Sequence, residues 1–265
     1  MSRRDDGRAY ERHLRRRREQ QRARKRRRNR ILAASASGAA AVGLALGLFF
    51  AFSGGGTPVA RPTPTTPPTP IPGCTAPTGQ APKTQTFPKA PAMTIDRAKT
   101  FTATMRTTCG TIVMALQPKI APKTVNNFVF LAKKGFYDHT IFHRVQNESS
   151  FAIVQGGDPT GTGSGGPGYK YGGEKPAAGT IYVRGTVAMA NSGDPSTNGS
   201  QFFFVVHDWN DLPANYTVFA KVTDKASLAT LDRMITAKGS PLQGGLGLHP
   251  SPNIEILSVT IKESR

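Results

Sequence analysis

Arg144, Gln155, Asn191, Gln201 and Phe203 combine polar or aromatic capacity with apolar neighbours on, or directly beside, predicted strands of this 265-residue sequence. An arginine keeps its charge at any physiological pH, and the three amides can both donate and accept hydrogen bonds. By composition and spacing alone, a lone strand arginine reads as a solvated edge residue. Phe202-Phe203-Phe204 reads as core, with alternate members pointing inward. No Ser–His–Asp or Cys–His constellation emerges from spacing, so covalent catalysis has no candidate. The run from Gly161 to Gly166 matches G-x-G-x-x-G, but Pro167-Gly168 follows where a nucleotide site would need a helix to open. His139 and His143 stand four apart in what reads as a turn entering a strand, and no carboxylate completes a metal site. Two cysteines exclude multi-cysteine zinc and iron–sulfur centres. No metal and no cofactor are expected.

The elements that carry these residues are mostly short strands. Phe101–Thr107 and Thr111–Leu116 alternate in polarity around a Cys-Gly turn, a hairpin signal. Residues 141–145, 152–155, 186–190, 202–206, 217–222 and 254–262 are further strand candidates. Ala121–Lys134 predicts a helix: Pro122 suits its first turn, Val125, Phe128, Val129 and Ala132 share a face, and Gly135 stops it. Ala226–Met234 predicts a second. About eight strands and two helices, separated by glycine-rich loops, predict a mainly β domain: a closed eight-stranded antiparallel barrel with two α-helices.

The net charge of +19 is unevenly spread. Residues 1–30 hold 15 basic and four acidic side chains and read as a disordered, basic cytoplasmic tail. A uniformly basic nucleic-acid-binding globule is thereby excluded, and no nucleic-acid partner is expected. Residues 31–52 carry no charge and are long enough to span a bilayer, so a single transmembrane helix is expected to precede the barrel. The arginines before it place its amino end in the cytoplasm and everything after it outside. A cleaved signal peptide, leaving a secreted protein, is the alternative. Residues 53–92, Gly-rich and then Pro/Thr-rich, read as a semi-rigid linker, and 93–265 as the folded domain. In an exported chain Cys74 and Cys109 are candidates for a disulfide; two free thiols are the alternative.

Several blocks follow one another in an order that resembles the cyclophilins, a family of peptidyl-prolyl cis–trans isomerases. They are Phe142-His143-Arg144, Gln155-Gly156-Gly157-Asp158, the Gly161–Gly168 loop and Met189-Ala190-Asn191. Thr197-Asn198-Gly199-Ser200-Gln201-Phe202-Phe203 and Val218-Phe219-Ala220-Lys221-Val222 complete the series. The resemblance covers roughly residues 100–262 and is strongest to a membrane-anchored actinobacterial subgroup. It implies that Arg144 is catalytic with Gln155 as its polar partner. It implies a proline pocket of Ile153, Phe203 and Leu212, backbone contacts at Ala190 and Asn191, and Gln201 on the groove floor. Phe142 and Tyr216 join the substrate-binding set, Tyr216 standing where many members have a histidine.

The chain departs from the family pattern after Arg144, where Gln146–Ser150 are extra. Ala152 stands where the family usually has phenylalanine, with Phe151 beside it, so either position is a candidate for the pocket wall. Asp211 precedes Leu212 where some members have tryptophan, and Trp209 lies two residues earlier. The resemblance implies acceleration of X–Pro isomerisation in exported proteins, with proline-containing segments as partners and the enzyme monomeric. The alternative is a membrane-tethered, catalytically weak module that binds proline peptides or acts as a scaffold.

Overall fold

A two-residue turn at Thr108-Cys109 folds the first hairpin, in which β1 (Thr100–Thr107) pairs antiparallel with β2 (Gly110–Leu116). The hydroxyl of Thr107 accepts from the Cys109 amide and donates to the Gly110 carbonyl, so the turn's polar groups are satisfied locally. Phe101, Ala103 and Met105 of β1 and Ile112, Met114 and Leu116 of β2 alternate inward and are buried. The computed structural model describes residues 68–265. The expected basic tail, the expected span over 31–52 and the first part of the expected linker lie outside the described residues. Among the described residues no helix is long and apolar enough to cross a membrane.

The remaining elements are α1 (Pro122–Lys133), β3 (Arg144–Glu148), β4 (Phe151–Gly156), β5 (Thr186–Met189), β6 (Phe202–His207) and β7 (Val218–Lys221). After them come α2 (Lys225–Met234), β8 (Gly239–Pro241), β9 (Leu248–Pro250) and β10 (Ile256–Ser264). All ten strands form one sheet in the order β10-β1-β2-β7-β5-β6-β4-β3-β9-β8. Every neighbouring pair is antiparallel. This corrects the expected closed barrel of eight strands: the described residues form ten, and no ladder among them joins β8 to β10. The physical reason lies in β8 and β9, three residues each, whose terminal prolines Pro241 and Pro250 have no amide hydrogen to extend a ladder. Beyond them, Ile141 bridges singly to Asp158 and to Glu255.

Both helices are built as their sequences predict. Pro122 occupies the first turn of α1. The Asp224 carboxylate caps α2 by accepting from the Ser227 amide at 2.8 Å. α1 packs against β10 and β7, and α2 against β2 and β6, where each covers core side chains. The Phe202–Val206 run of β6 divides between two faces. Phe202, Phe204 and Val206 enter the main core with Phe128, Phe142 and Phe219. Phe203 and Val205 face a second cluster with Ile153, Tyr182, Ala188 and Leu212.

Of the stretch read as linker, residues 68–92 contain no strand or helix but are packed onto the domain. Ile71 is buried in the main core. Cys74 is joined to Cys109, and the Thr75 amide donates to the Thr108 carbonyl at 2.7 Å. Thr78 donates through its amide and its hydroxyl, both at 2.6 Å, to the buried Glu255 carboxylate. Burial raises that carboxylate's pKa, but bonds from Thr78 and His139 outweigh it and hold the group below its ordinary value. Phe87 sets its ring edge-on to Phe130, 5.0 Å between centroids. This strap is extended because its prolines forbid regular pairing. It is held because it brings apolar side chains to the core.

Candidate active site

Strand alternation puts Arg144 and Gln146 of β3 on one face, and the register sets Arg144 opposite Gln155 and Gln146 opposite Ile153 of β4. The extra residues after Arg144 are thus a regular hairpin, with Ser149-Ser150 as its turn. Phe151, Ile153 and Gln155 face outward together, whereas Ala152 and Val154 enter the main core. The candidate wall is therefore Phe151 and not Ala152. The Phe151 ring lies flat on Trp209, 3.8 Å between centroids and 5° between planes.

The arginine is half-buried and held at three points. Its Nε donates to the Leu246 carbonyl at 2.7 Å, Nη1 to Gln155 Oε1 at 3.1 Å, and Nη2 to Gln146 Oε1. Burial lowers its pKa, with Tyr216 acting the other way, but a guanidinium stays protonated at neutral pH. Gln155 continues the network by donating from Nε2 to Gln201 Oε1 at 3.1 Å, with His143 Nε2 at 3.4 Å. Gln201 Nε2 then donates to the carbonyls of Gly163 and Gly165, each at 2.9 Å. The Gly-rich loop is itself fixed by Asp158, whose carboxylate accepts from the amides of Thr160, Gly163 and Gly165. Burial raises the Asp158 pKa, but those amide bonds outweigh it and the group stays below its ordinary value. Gly157 turns the chain there at φ 86°, where a Cβ would meet the Ser200 carbonyl at 2.5 Å.

Beside this polar row lies the apolar one. Ile153, Ala188, Phe203, Val205 and Leu212 are buried together under Phe151, Ala190, Trp209 and Tyr216. Tyr216 stands edge-on to Phe203 at 5.6 Å. Tyr182 fixes the Tyr216 segment: its hydroxyl donates to the Tyr216 carbonyl at 3.0 Å and accepts the Tyr216 amide at 3.1 Å. Asn191 spends its side-chain amide on Asn198 Oδ1 and the Asn215 carbonyl, and its Oδ1 accepts from the Gly193 amide. Contact between Asn191 and a peptide would therefore be made by its main chain. A polar cavity of about 310 Å³ opens beside Gln155, Ala190, Asn191 and Gln201, with Lys170 on its wall. Among the described residues no group of three or more His, Cys, Asp or Glu side chains could hold a metal ion.

The cyclophilin-type peptidyl-prolyl cis-trans isomerase profile matches residues 102–261, the stretch that contains the whole of this arrangement. The chain belongs to the cyclophilin family. A probable peptidyl-prolyl cis-trans isomerase B of Mycobacterium leprae is 40% identical over 185 residues, 66% of this chain and 61% of that protein. The chain thus spans about three fifths of the length of that relative. A peptidyl-prolyl cis-trans isomerase of Helicobacter pylori is 43% identical over 137 residues, 52% of this chain and 82% of that protein. A crystal structure of a Cryptosporidium parvum cyclophilin type isomerase superposes with a TM-score of 0.53 at 31% identity. It covers 63% of this chain and 99% of that one. A second structure of that isomerase was determined in the presence of the dipeptide Ala-Pro.

The structure brings together Arg144, Gln155, Gln201, Ile153, Phe203, Leu212, Phe151, Ala190 and Tyr216. Phe142 is not among them: it is fully buried against Phe202 and Phe204, its amide donating to Ile254 outside the β3–β4 ladder. Gln146, Trp209, Tyr182 and the Leu246 carbonyl belong to the site but were not anticipated. Period-two spacing from Arg144 could have found Gln146. Nothing local announces a backbone carbonyl some hundred residues away.

Proposed function

We propose that the chain is a peptidyl-prolyl cis–trans isomerase acting on X–Pro bonds of peptide segments in the groove between Arg144 and Phe203. Rotation about a peptide bond faces about 18–20 kcal/mol because of amide conjugation, and X–Pro bonds populate both isomers. No bond is made or broken, so the protein needs only to bind the twisted amide better than either planar form. In the twisted state the prolyl nitrogen regains a lone pair, which an N–H of Arg144 can meet. Ile153, Phe203 and Leu212, walled by Phe151, receive the proline ring and exclude water, which strengthens the charged hydrogen bond. Gln155 fixes the guanidinium, and the main chain at Ala190 and Asn191 holds the peptide.

The observation that carries this reading is a permanently charged guanidinium held by fixed acceptors beside a buried apolar cluster. The isomerase names of the relatives and the Ala-Pro dipeptide in the Cryptosporidium parvum crystal support it. The test is isomerisation of a short X–Pro peptide by the full chain and by Arg144→Ala. Loss of one preorganised donor should slow catalysis about 100- to 1,000-fold with the fold intact. A folded wild-type chain that binds the peptide but matches Arg144→Ala in rate would instead favour the peptide-binding module. We infer too that the domain works outside the cytoplasmic membrane as a monomer on exported chains. The joined cysteines and the uncharged run after the arginines support the location.

A further inference from the structure

The three-point hold on Arg144 draws on two acceptors that lie far apart in sequence and come together only at the β8–β9 hairpin. Gln146 sits on the arginine's own face of β3, two residues on, and accepts from Nη2. Its other amide end donates to the Gly245 carbonyl at 3.3 Å. Leu246, next in the chain, accepts from Nε at 2.7 Å. The tip is itself pinned: Leu242 donates to the Gly247 carbonyl at 2.8 Å, and Leu248 pairs with Val145 of β3. Gly247 is at φ 94°, and a Cβ there would meet the Val145 carbonyl at 2.3 Å, so only glycine lets the tip approach β3. Gln146 is 7% exposed under this cover although it faces the groove.

A guanidinium has five N–H donors. Leu246, Gln155 and Gln146 take one each, from three different nitrogens. Two donors remain, one on each terminal nitrogen, and the plane in which they lie is fixed. A flexible arginine would have to freeze in this plane as the amide twists; a braced one is already there. We propose that Gln146 and the Gly245–Leu246 tip of the β8–β9 hairpin are the positioning device for Arg144. They set its plane so that the two unused N–H groups meet the twisted amide. The inference rests on the isomerase reading of the same groove and adds to it the residues that tune the rate.

The test is kcat and KM of the full chain towards an X–Pro peptide, with Gln146→Met, Gln146→Glu and Gly247→Ala. Methionine keeps the size and removes the acceptor, so kcat should fall roughly tenfold or more at nearly constant KM and Tm. Glutamate restores an acceptor for Nη2 and should recover most of the rate. Gly247→Ala should displace the tip and lower kcat in the same way. Full activity of Gln146→Met, or no recovery with Gln146→Glu, overturns the proposal. An NMR readout works without turnover: exchange of the Arg144 Nε proton should be slowed by the Leu246 bond. It should quicken about tenfold or more in Gly247→Ala. A wild-type chain without isomerase activity but with that slowed proton would sink the catalytic reading and leave the brace standing. A fast-exchanging Nε proton in the wild type would sink the brace.

Discussion

His143 is the residue next to Arg144 and the one whose titration touches the whole site. It is buried, with Nδ1 unpartnered, and burial lowers its pKa to about 4. Asp158 opposes that shift, while His249 and Arg144 reinforce it. The folded chain therefore binds this proton more weakly than the unfolded chain, whose histidine titrates near 6.5. Stability is full above about 6.5 and falls as the pH drops towards about 4, by up to about 3 kcal/mol from this group. Urea unfolding across that range should show a fall that His143→Gln lacks. Equal slopes in the two proteins would mean that the imidazole charges as readily folded as unfolded. His139, four residues earlier in the chain, faces a different partner. His139 turns to the Glu255 carboxylate at 2.7 Å, while His143 faces Gln155.

At the scale of elements, the strap and the first hairpin act as one unit through Cys74–Cys109. The bond spans 35 residues of sequence, and closing such a loop stabilises the fold by about 3–4 kcal/mol on the chain-entropy account. Replacing both cysteines by alanine should therefore lower the unfolding free energy by about that amount without moving the groove, which lies on the other cluster. A loss well under 1 kcal/mol would show that the strap's other contacts already confine the reduced chain. The β3–β4 hairpin is the complementary case. Its extra residues lengthen two strands in register, and the unbroken alternation of β4 carries Phe151 to the same outer face as Ile153 and Gln155. That is how a ring can stand near the pocket although the residue in the usual place is alanine.

For the molecule as a whole, residues 68–92 belong to the folded domain in energetic terms, not only by position. Deleting them from the full chain removes Ile71 from the core, Phe87 from Phe130 and Phe136, and both Thr78 bonds from Glu255. With the disulfide, the loss should be about 4 kcal/mol or more, read as a lower denaturant midpoint. An unchanged midpoint would mean that the strap merely drapes on the surface. The open sheet order has a consequence at this scale too. Its β8–β9 edge is not tied into a closed barrel, so the hairpin that holds Arg144 is fixed by β3 and by its own glycines.

Much of this was legible in the residues themselves. Period two and Cys-Gly marked the first hairpin, and Pro122 and Gly135 bounded the first helix. The ordered blocks from Phe142 to Val222 carried the family and with it Arg144, Gln155 and Phe203. These are local or collinear signals, each set by steric or hydrogen-bonding rules that act within a few residues. Whether Phe151 or Ala152 faces the groove depended on β4 continuing in register with β3 as far as Phe151, opposite Glu148, which the residue types alone do not state. Phe142 faces the core because its amide bonds Ile254 and not a β4 partner. The β8–β9 strands are three residues long and rich in glycine and proline, so no periodicity could reveal them. Yet they supply the Leu246 carbonyl that holds the arginine. Residue identity and order determined what kind of site this is; long-range backbone pairing, which no short window contains, decided which atoms complete it.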